Sequence, residues 1–319
     1  MENVRLSVII PFKNEEENLV KLNTELKKVL NQLSINCEVI FVDDGSTDRS
    51  HQILEKEISA NRGDSISYLL ISLRKNFGQT AAIAAGIDNS TGKYIFFLDA
   101  DLQNDPKDIP RFFEKIDEGY DAVFGWRKER KDANLRSFFS RVANRIINIV
   151  FSYPYHDVGC SARVVKKRFV KGLELYGELH RIMPVLIYLR GAKVGEIVVK
   201  HRGRVAGKSK YGFERIIKTI IDIITVKFLS SYGTKPAYVF GTVGLGSIFF
   251  SGLTLMAVSY RKLFLGVFVH RDPLFLIAIF LGLLGVQFVM MGLLAELQVR
   301  TYFGSQGKPI YEIKTKEKF

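Results

Sequence analysis

What most constrains this chain is a series of short apolar runs, each stopped by polar or acidic residues and followed by a stretch of helical periodicity. The first four runs fall at 6–10, 38–42, 66–73 and 94–98. After the first, Asn14 and the acids Glu15, Glu16 and Glu17 suit the opening turn of a helix, whose dipole favours negative charge there. Leu19, Leu22, Leu26, Val29, Leu30 and Leu33 then give that helix one apolar face. Asp48 stands where it caps a second helix, and residues 80–88 read as a third, rich in small side chains. Strands alternating with helices of this length specify an α/β fold with a mostly parallel sheet. Runs at 122–125 and 194–199 add strands, and 135–151 reads as a further helix. The run at 6–10 is expected to stop at Pro11.

The acids fall where such a sheet places its chemistry. Glu15, Asp43, Asp44, Asp99 and Asp101 all lie just past strand ends, and parallel sheets bind ligands at their carboxyl ends. The run 94–98 ends abruptly in Asp99, Ala100, Asp101, Leu102 and Gln103. Two carboxylates so close repel each other unless a cation lies between them. Mg²⁺ or Mn²⁺, shared with substrate phosphates, is the natural occupant. Taken alone, the Asp-x-Asp pair fits equally a polar turn that caps the helix beginning near Asp108. Ribose hydroxyls and a base N–H are natural partners for Glu15 and Asp43. The sequence has neither a Gly-x-Gly-x-x-Gly fingerprint nor a P-loop, which argues against a dinucleotide cofactor or a P-loop nucleotide site.

Charge and hydropathy divide the chain. The net charge is +13, which raises the question of nucleic acid. The cations thicken at 127–145 and 200–227, however, and no zinc-finger, helix-turn-helix or RNP pattern accompanies them. Clusters of this kind meet anionic headgroups or phosphorylated ligands. Cys37 and Cys160 are too few and too far apart to suggest a disulfide or a metal site. Uncharged runs at 236–258 and 274–295 are each long enough to cross a hydrocarbon core of about 30 Å. The expected layout is a domain at 1–211, an amphipathic juxtamembrane helix at 212–235, two transmembrane helices (about 236–258 and 274–297) within 236–299, and a basic tail at 300–319. With no signal peptide ahead of it and Arg300, Lys308, Lys314, Lys316 and Lys318 in the tail, the chain is expected to keep both termini cytoplasmic at a bacterial-type inner membrane. Glycines at 241, 244, 246, 252, 282, 285 and 292 allow close helix packing and hence a homo-oligomer.

Together, the segments Val8 to Glu15, Val42 to Asp48, Arg74 to Gly78 and Leu98 to Gln103 resemble glycosyltransferase family two, which has the GT-A fold. Ser140, Arg141, Asn144, Asp157 and the stretch Arg204 to Tyr211 resemble its polyprenyl-phosphate branch, which includes dolichol-phosphate mannose synthases and bacterial bactoprenol glucosyltransferases. The resemblance implies a metal-dependent, inverting transfer from a nucleotide sugar to polyprenyl (undecaprenyl) phosphate. It implies UDP-glucose as donor and a lipid-linked monosaccharide for glycan modification as product. It assigns Pro11, Phe12, Asn14, Glu15, Asp43, Asp44, Lys75, Asp99, Ala100 and Asp101 to the nucleotide sugar, and Asp99, Asp101 and Gln103 to Mg²⁺ or Mn²⁺. Arg127, Ser140, Arg141, Asn144, Arg204, Ser209 and Lys210 fall to the lipid phosphate; Asp157, Asp101, Arg127 and Arg141 fall to catalysis. By position Asp157 is the acid/base, or else it orients Arg127, Arg141 or the sugar. Cys160, Ser161 and Ala162 replace the Ser-Gly-Phe type of sequence common in the branch. Competing readings are GDP-mannose or another donor, a polysaccharide synthase, or a non-catalytic membrane-anchored ligand-binding or flippase component. A synthase needs a Gln-x-x-Arg-Trp segment and more spans, and this sequence has neither.

Overall fold

The computed structural model describes residues 5–33, 35–60, 66–128, 144–173, 175, 177–203, 221, 223–227 and 313–318, with isolated positions between 253 and 305. The chain forms two units, Met1–Asp222 with Pro309–Phe319, and Ile223–Lys308. The first carries strands β1 (Leu6–Phe12), β2 (Cys37–Asp43), β3 (Ser67–Leu73), β4 (Tyr94–Phe97), β5 (Ala122–Trp126), β6 (Arg163–Lys166), β7 (Val194–Val198) and β8 (Ile313–Lys318). They make one sheet in the order β7-β5-β6-β4-β1-β2-β3-β8. Only β6 and β8 run antiparallel to the rest.

Strands β1 and β2 are buried along their whole length, as parallel strands covered on both faces must be. One face, with Leu6, Val8 and Ile10, packs against Leu22 and Leu26 of α1 (Leu19–Leu30), Leu54 and Ile58 of α2 (Ser50–Ala60), and Phe112 of α4 (Ile109–Asp117). Each such leucine contributes about 1.5–3 kcal/mol by leaving water. Helix α3 (Gln79–Asn89) covers the other face. Its small residues let it come close: a Cβ on Gly86 would stand 2.4 Å from Ile9 Cγ2. Helix α5 spans residues 144–151, and α6 (Lys167–Val170) and α7 (Met183–Leu189) follow.

Three expectations change. Strand β1 continues through Pro11, because the Ile9 carbonyl and therefore the Pro11 nitrogen face β4, which has already left the sheet after Phe97. Leu98 N–H donates to Ile9 at 3.1 Å, and no later residue of β4 needs a donor from β1. Helix α1 begins at Leu19 with no acid in its first turn. Asn14, at φ +55°, exchanges hydrogen bonds with Thr47, and Glu15 N–H donates to Ser50 Oγ at 2.8 Å. These ties hold Glu15 at the rim instead of in the helix. The basic tail is also no free tail. Residues Ile313–Lys318 pair with β3, covering what would otherwise be an open edge, and Lys316 Nζ donates to Asn89 at 2.6 Å.

Asp48 does cap α2, accepting from Ser50 N–H at 3.0 Å. The runs 236–258 and 274–297 lie largely outside the described residues, and among those described no helix is long and apolar enough to cross a membrane. Within the second unit the described helical positions Leu253, Met256, Tyr260 and Leu263 expose their apolar side chains, as do Leu276, Leu283, Met290 and Leu294. Of segment 212–235, positions 221 and 223–227 are described and helical, with Ile221 and Ile224 exposed and Ile223 and Val226 buried.

Candidate active site

From β1 the chain steps to β2 and β3 on one side, then returns to place β4 on the other. Ligands bind α/β sheets at such reversals, outside the carboxyl ends of the strands. Asp99 and Asp101 follow β4 at this point, and Asp43 ends β2 two strands away, about 10 Å across the sheet. Asp99 Oδ1 accepts from Gln79 Nε2 at 2.8 Å, and its carboxyl also bonds the Ser161 hydroxyl. Burial, then the Asp101 charge, push the Asp99 carboxyl above its ordinary range, against Ser161, Arg163 and Arg127. Asp101 Oδ1 accepts from Gln103 N–H at 3.2 Å, and Leu102 turns the chain at φ +59°. Neither acid caps a helix. That task falls to Asp105, which accepts from Lys107 N–H at 3.0 Å, while Asp108 accepts from Lys200 N–H at 3.0 Å and from Arg111.

The donor set at this point fits a hard divalent cation. Asp99 and Asp101 provide two crowded carboxylates, and Gln103 stands beside them. Among the described residues no group of three or more His, Cys, Asp or Glu forms a closed metal cage. A Mg²⁺-type ion uses one or two carboxylates and completes its shell with water and substrate phosphate, so a two-carboxylate seat is of the right kind.

The neighbouring acids are already engaged. Asp43 Oδ1 accepts from Ser46 N–H at 2.8 Å, and its Oδ2 lies 3.7 Å from His51 Nδ1, which also bonds Ser72 Oγ at 3.0 Å. Asp44 receives Phe77 N–H at 2.7 Å and Gly78 N–H at 3.0 Å, so it grips the loop between β3 and α3. Burial raises its carboxyl above the usual range and those amides act against the rise. Gly45 lets the two loops meet: at φ +68°, a Cβ there would lie 2.7 Å from Asn76 N. Lys75 extends over the Phe77 ring at 5.1 Å. Phe12 faces the core, its ring edge-on to Phe41 at 6.4 Å; Pro11 and Ala100 are buried, whereas Asn14, Glu15 and Lys75 are not.

A second cluster forms two strands to the other side of β4, around Arg127. Arg127 leaves β5 and meets Asp157 through both arms, Nε to Oδ2 at 2.8 Å and Nη2 to Oδ1 at 2.9 Å. Asp157 accepts in addition from the Arg127 and Gly159 amides, each at 3.2 Å. Two α5 amides hold the Asp157 loop, Asn144 to the His156 carbonyl at 2.8 Å and Asn148 to the Tyr155 carbonyl at 3.1 Å. Glu196 of β7 holds it from beneath, through His156 N–H at 3.0 Å and His156 Nδ1 at 2.7 Å, and that imidazole stacks on Trp126 at 4.0 Å. The Cys160 side chain lies against Asn104, and burial pushes its thiol up to about 12, so it is inert at neutral pH. Arg202 donates its N–H to the Gln103 carbonyl at 2.9 Å and ion-pairs with Glu25 and Asp105, each at 2.7 Å, which fixes the chain just before Arg204. Arg204, Ser209, Lys210, Ser140 and Arg141 lie outside the described residues. Gln79, His51, Ser161, Arg163 and Glu196 are the side chains the sequence did not single out.

Residues 7–173 match the sequence profile of Glycosyl transferase family 2. Over 318 residues the chain is 34% identical to a dodecaprenyl-phosphate galacturonate synthase of Rhizobium johnstonii, an alignment covering 98% of this chain and 93% of that protein. Solved structures share the fold at lower identity. Glucosyl-3-phosphoglycerate synthase of Mycobacterium tuberculosis with Mn²⁺, UDP and glucosyl-3-phosphoglycerate superposes at TM-score 0.54 and 15% identity, covering 72% of this chain and 80% of that one. The same enzyme with Mg²⁺ and UDP gives TM-score 0.53 and 14% identity, covering 72% and 80%.

Proposed function

The chain belongs to glycosyl transferase family 2, and from that premise we propose that it transfers a sugar from a nucleoside diphosphate to a polyprenyl phosphate at a membrane surface. The observation that carries the reading is the placement of two kinds of site on one rim: a cation-seeking acid pair at Asp99 and Asp101, and a built-in cation at Arg127. A diphosphate suits the first and an anionic acceptor suits the second. The name of the R. johnstonii relative supports a polyprenyl acceptor and makes galacturonate the first sugar to test. The M. tuberculosis complexes with UDP and Mn²⁺ or Mg²⁺ support a uridine-linked donor and a divalent metal. UDP-glucose is the second donor to test.

Asp99, Asp101 and Gln103 would hold Mg²⁺ or Mn²⁺, which when bound supplies positive charge to the leaving diphosphate. A phosphate monoester has its second pKa at about 6, so the acceptor is mostly dianionic at neutral pH and needs no strong base. Its oxygen attacks the anomeric carbon as the bond to the nucleoside diphosphate breaks, which inverts that centre. Asp157 has both oxygens engaged by Arg127, so its part is to aim the guanidinium at the acceptor rather than to take a proton. Glu15, after β1, and Lys75, after β3, are read as facing the nucleotide.

The runs 236–258 and 274–297 are read as crossing the bilayer twice, with the catalytic domain on the cytoplasmic side. The uncharged runs support this, as do the exposed Leu253, Met256, Tyr260 and Leu263 at helical spacing. Because β8 belongs to the catalytic sheet, an even number of crossings is required. The test is full-length protein in liposomes with undecaprenyl phosphate and radiolabelled UDP-galacturonate, UDP-glucose or GDP-mannose. A single labelled lipid-linked monosaccharide is expected, absent in Asp101→Ala; polymer, or no labelled lipid from any donor, would reject the reading.

A further inference from the structure

Arg163 is 3% exposed, and its Nη2 donates to the His180 carbonyl at 3.2 Å. Its Nε and Nη1 reach no acceptor among the described residues. Arginine keeps its charge inside a protein, and a buried charge is costly without an opposite one nearby. Strand register shows where that opposite charge lies. β6 runs antiparallel to β4 with Arg163 opposite Phe97, and the guanidinium lies 5.5 Å from the Phe97 ring. Asp99 comes two residues after β4 ends and Ser161 two residues before β6 begins, and the Ser161 hydroxyl bonds that carboxyl. The pairing of Phe97 with Arg163 therefore brings Asp99, two residues on, within reach of a long side chain. Burial works against the Arg163 cation, and the Asp99 charge is the largest influence in its favour.

We infer that Arg163 is a positioning residue for the metal seat. From beneath Asp99 it balances that carboxylate and, with Ser161 and Gln79, fixes the orientation in which Asp99 shares a divalent cation with Asp101. The inference rests on reading Asp99 and Asp101 as that seat. Arg127, whose two arms are bound to Asp157, acts on Asp99 less than Arg163 does.

The test uses full-length protein and Mn²⁺ with UDP, following loss of the free-ion electron paramagnetic resonance signal. Partners that orient a metal ligand typically alter affinity by about 10–100-fold. Arg163→Met is expected to weaken Mn²⁺ binding at least about tenfold, Arg163→Lys to regain most of it, and UDP binding in EDTA to stay the same in both. If Arg163→Met lacks the wild-type melting transition, Arg163→Gln replaces it under the same criterion. Wild-type Mn²⁺ affinity in the deciding variant overturns the inference. Equal Mn²⁺ binding by wild type and Asp101→Ala shows instead that no seat exists there. That pattern removes the underlying reading as well, and it appears in the controls alone.

Discussion

Asp157 and Asp99 stand on the same rim, and their surroundings differ. Asp157 is 4% exposed and receives both arms of Arg127 together with two backbone amides. Asp99 has a neutral amide from Gln79, a hydroxyl from Ser161, a more distant buried cation in Arg163, and a second acid at Asp101. At Asp157 the chain supplies the counter-charge in direct contact. At Asp99 the side chains bonded to the carboxyl, Gln79 and Ser161, are neutral. A charge-paired carboxylate makes a rigid presenting surface, and one held by neutral partners beside a second acid suits a cation.

The largest expected effect breaks the complete pair. Removing one member of a buried ion pair typically costs about 3–5 kcal/mol, so Asp157→Ala should lower the melting temperature sharply and abolish transfer. Asp157→Asn keeps the shape of the side chain and should retain UDP binding while losing transfer to the lipid acceptor. Near-normal lipid transfer by Asp157→Asn would show that Arg127 needs no aiming. Next in size is Gly45→Ala, which sets a Cβ against the backbone of Lys75 and Asn76 at a left-handed φ. Backbone strain of this kind costs about 1–3 kcal/mol, and the displaced 74–78 loop should weaken UDP binding in isothermal titration; unchanged affinity would detach that loop from the donor site.

The smallest effect tests the acid pair. The Asp99 carboxyl sits above its ordinary value, so the folded state binds that proton more tightly than the unfolded chain does. Its contribution to stability is full at low pH and is lost as pH rises through the raised value. In metal-free protein, Asp99→Asn should therefore melt a few degrees above wild type at neutral pH. The gap should narrow as pH falls toward about 4 and close only below it, where both states of the wild type are protonated. A gap of constant size from pH 4 to 8 would mean that the acid pair carries no such strain.

The same contrast explains what could be read from the sequence. The alternation of strands and helices, and the acids after β2 and β4, are local features, and the structure keeps them. Residues brought in from elsewhere were not legible. Gln79 meets Asp99 only because Gly86 lets α3 settle close to β1. Arg163 and Ser161 matter because β6, four residues of modest β propensity, is held between β4 and β5. Glu196 works through β7, forty positions beyond His156. The helix expected at Glu15 begins instead at Leu19, because Asn14 and Glu15 are tied to the turn after β2. Pro11 reads as a stop in the sequence, yet it sits where its missing N–H has no partner to lose.

Strand β8 also sets an order of manufacture. Its first residue follows the last residue of β3 by 313 − 73 = 240 positions, so β3 leaves the ribosome long before its partner exists. Residues 223–308 are made in that interval. The sheet edge is closed only after they have been synthesised, and until then β3 offers unpaired backbone to any passing strand. A shortened C-terminus or a bulky C-terminal tag therefore acts on the last step of building the catalytic sheet, and the yield of monodisperse protein is where its effect will show first.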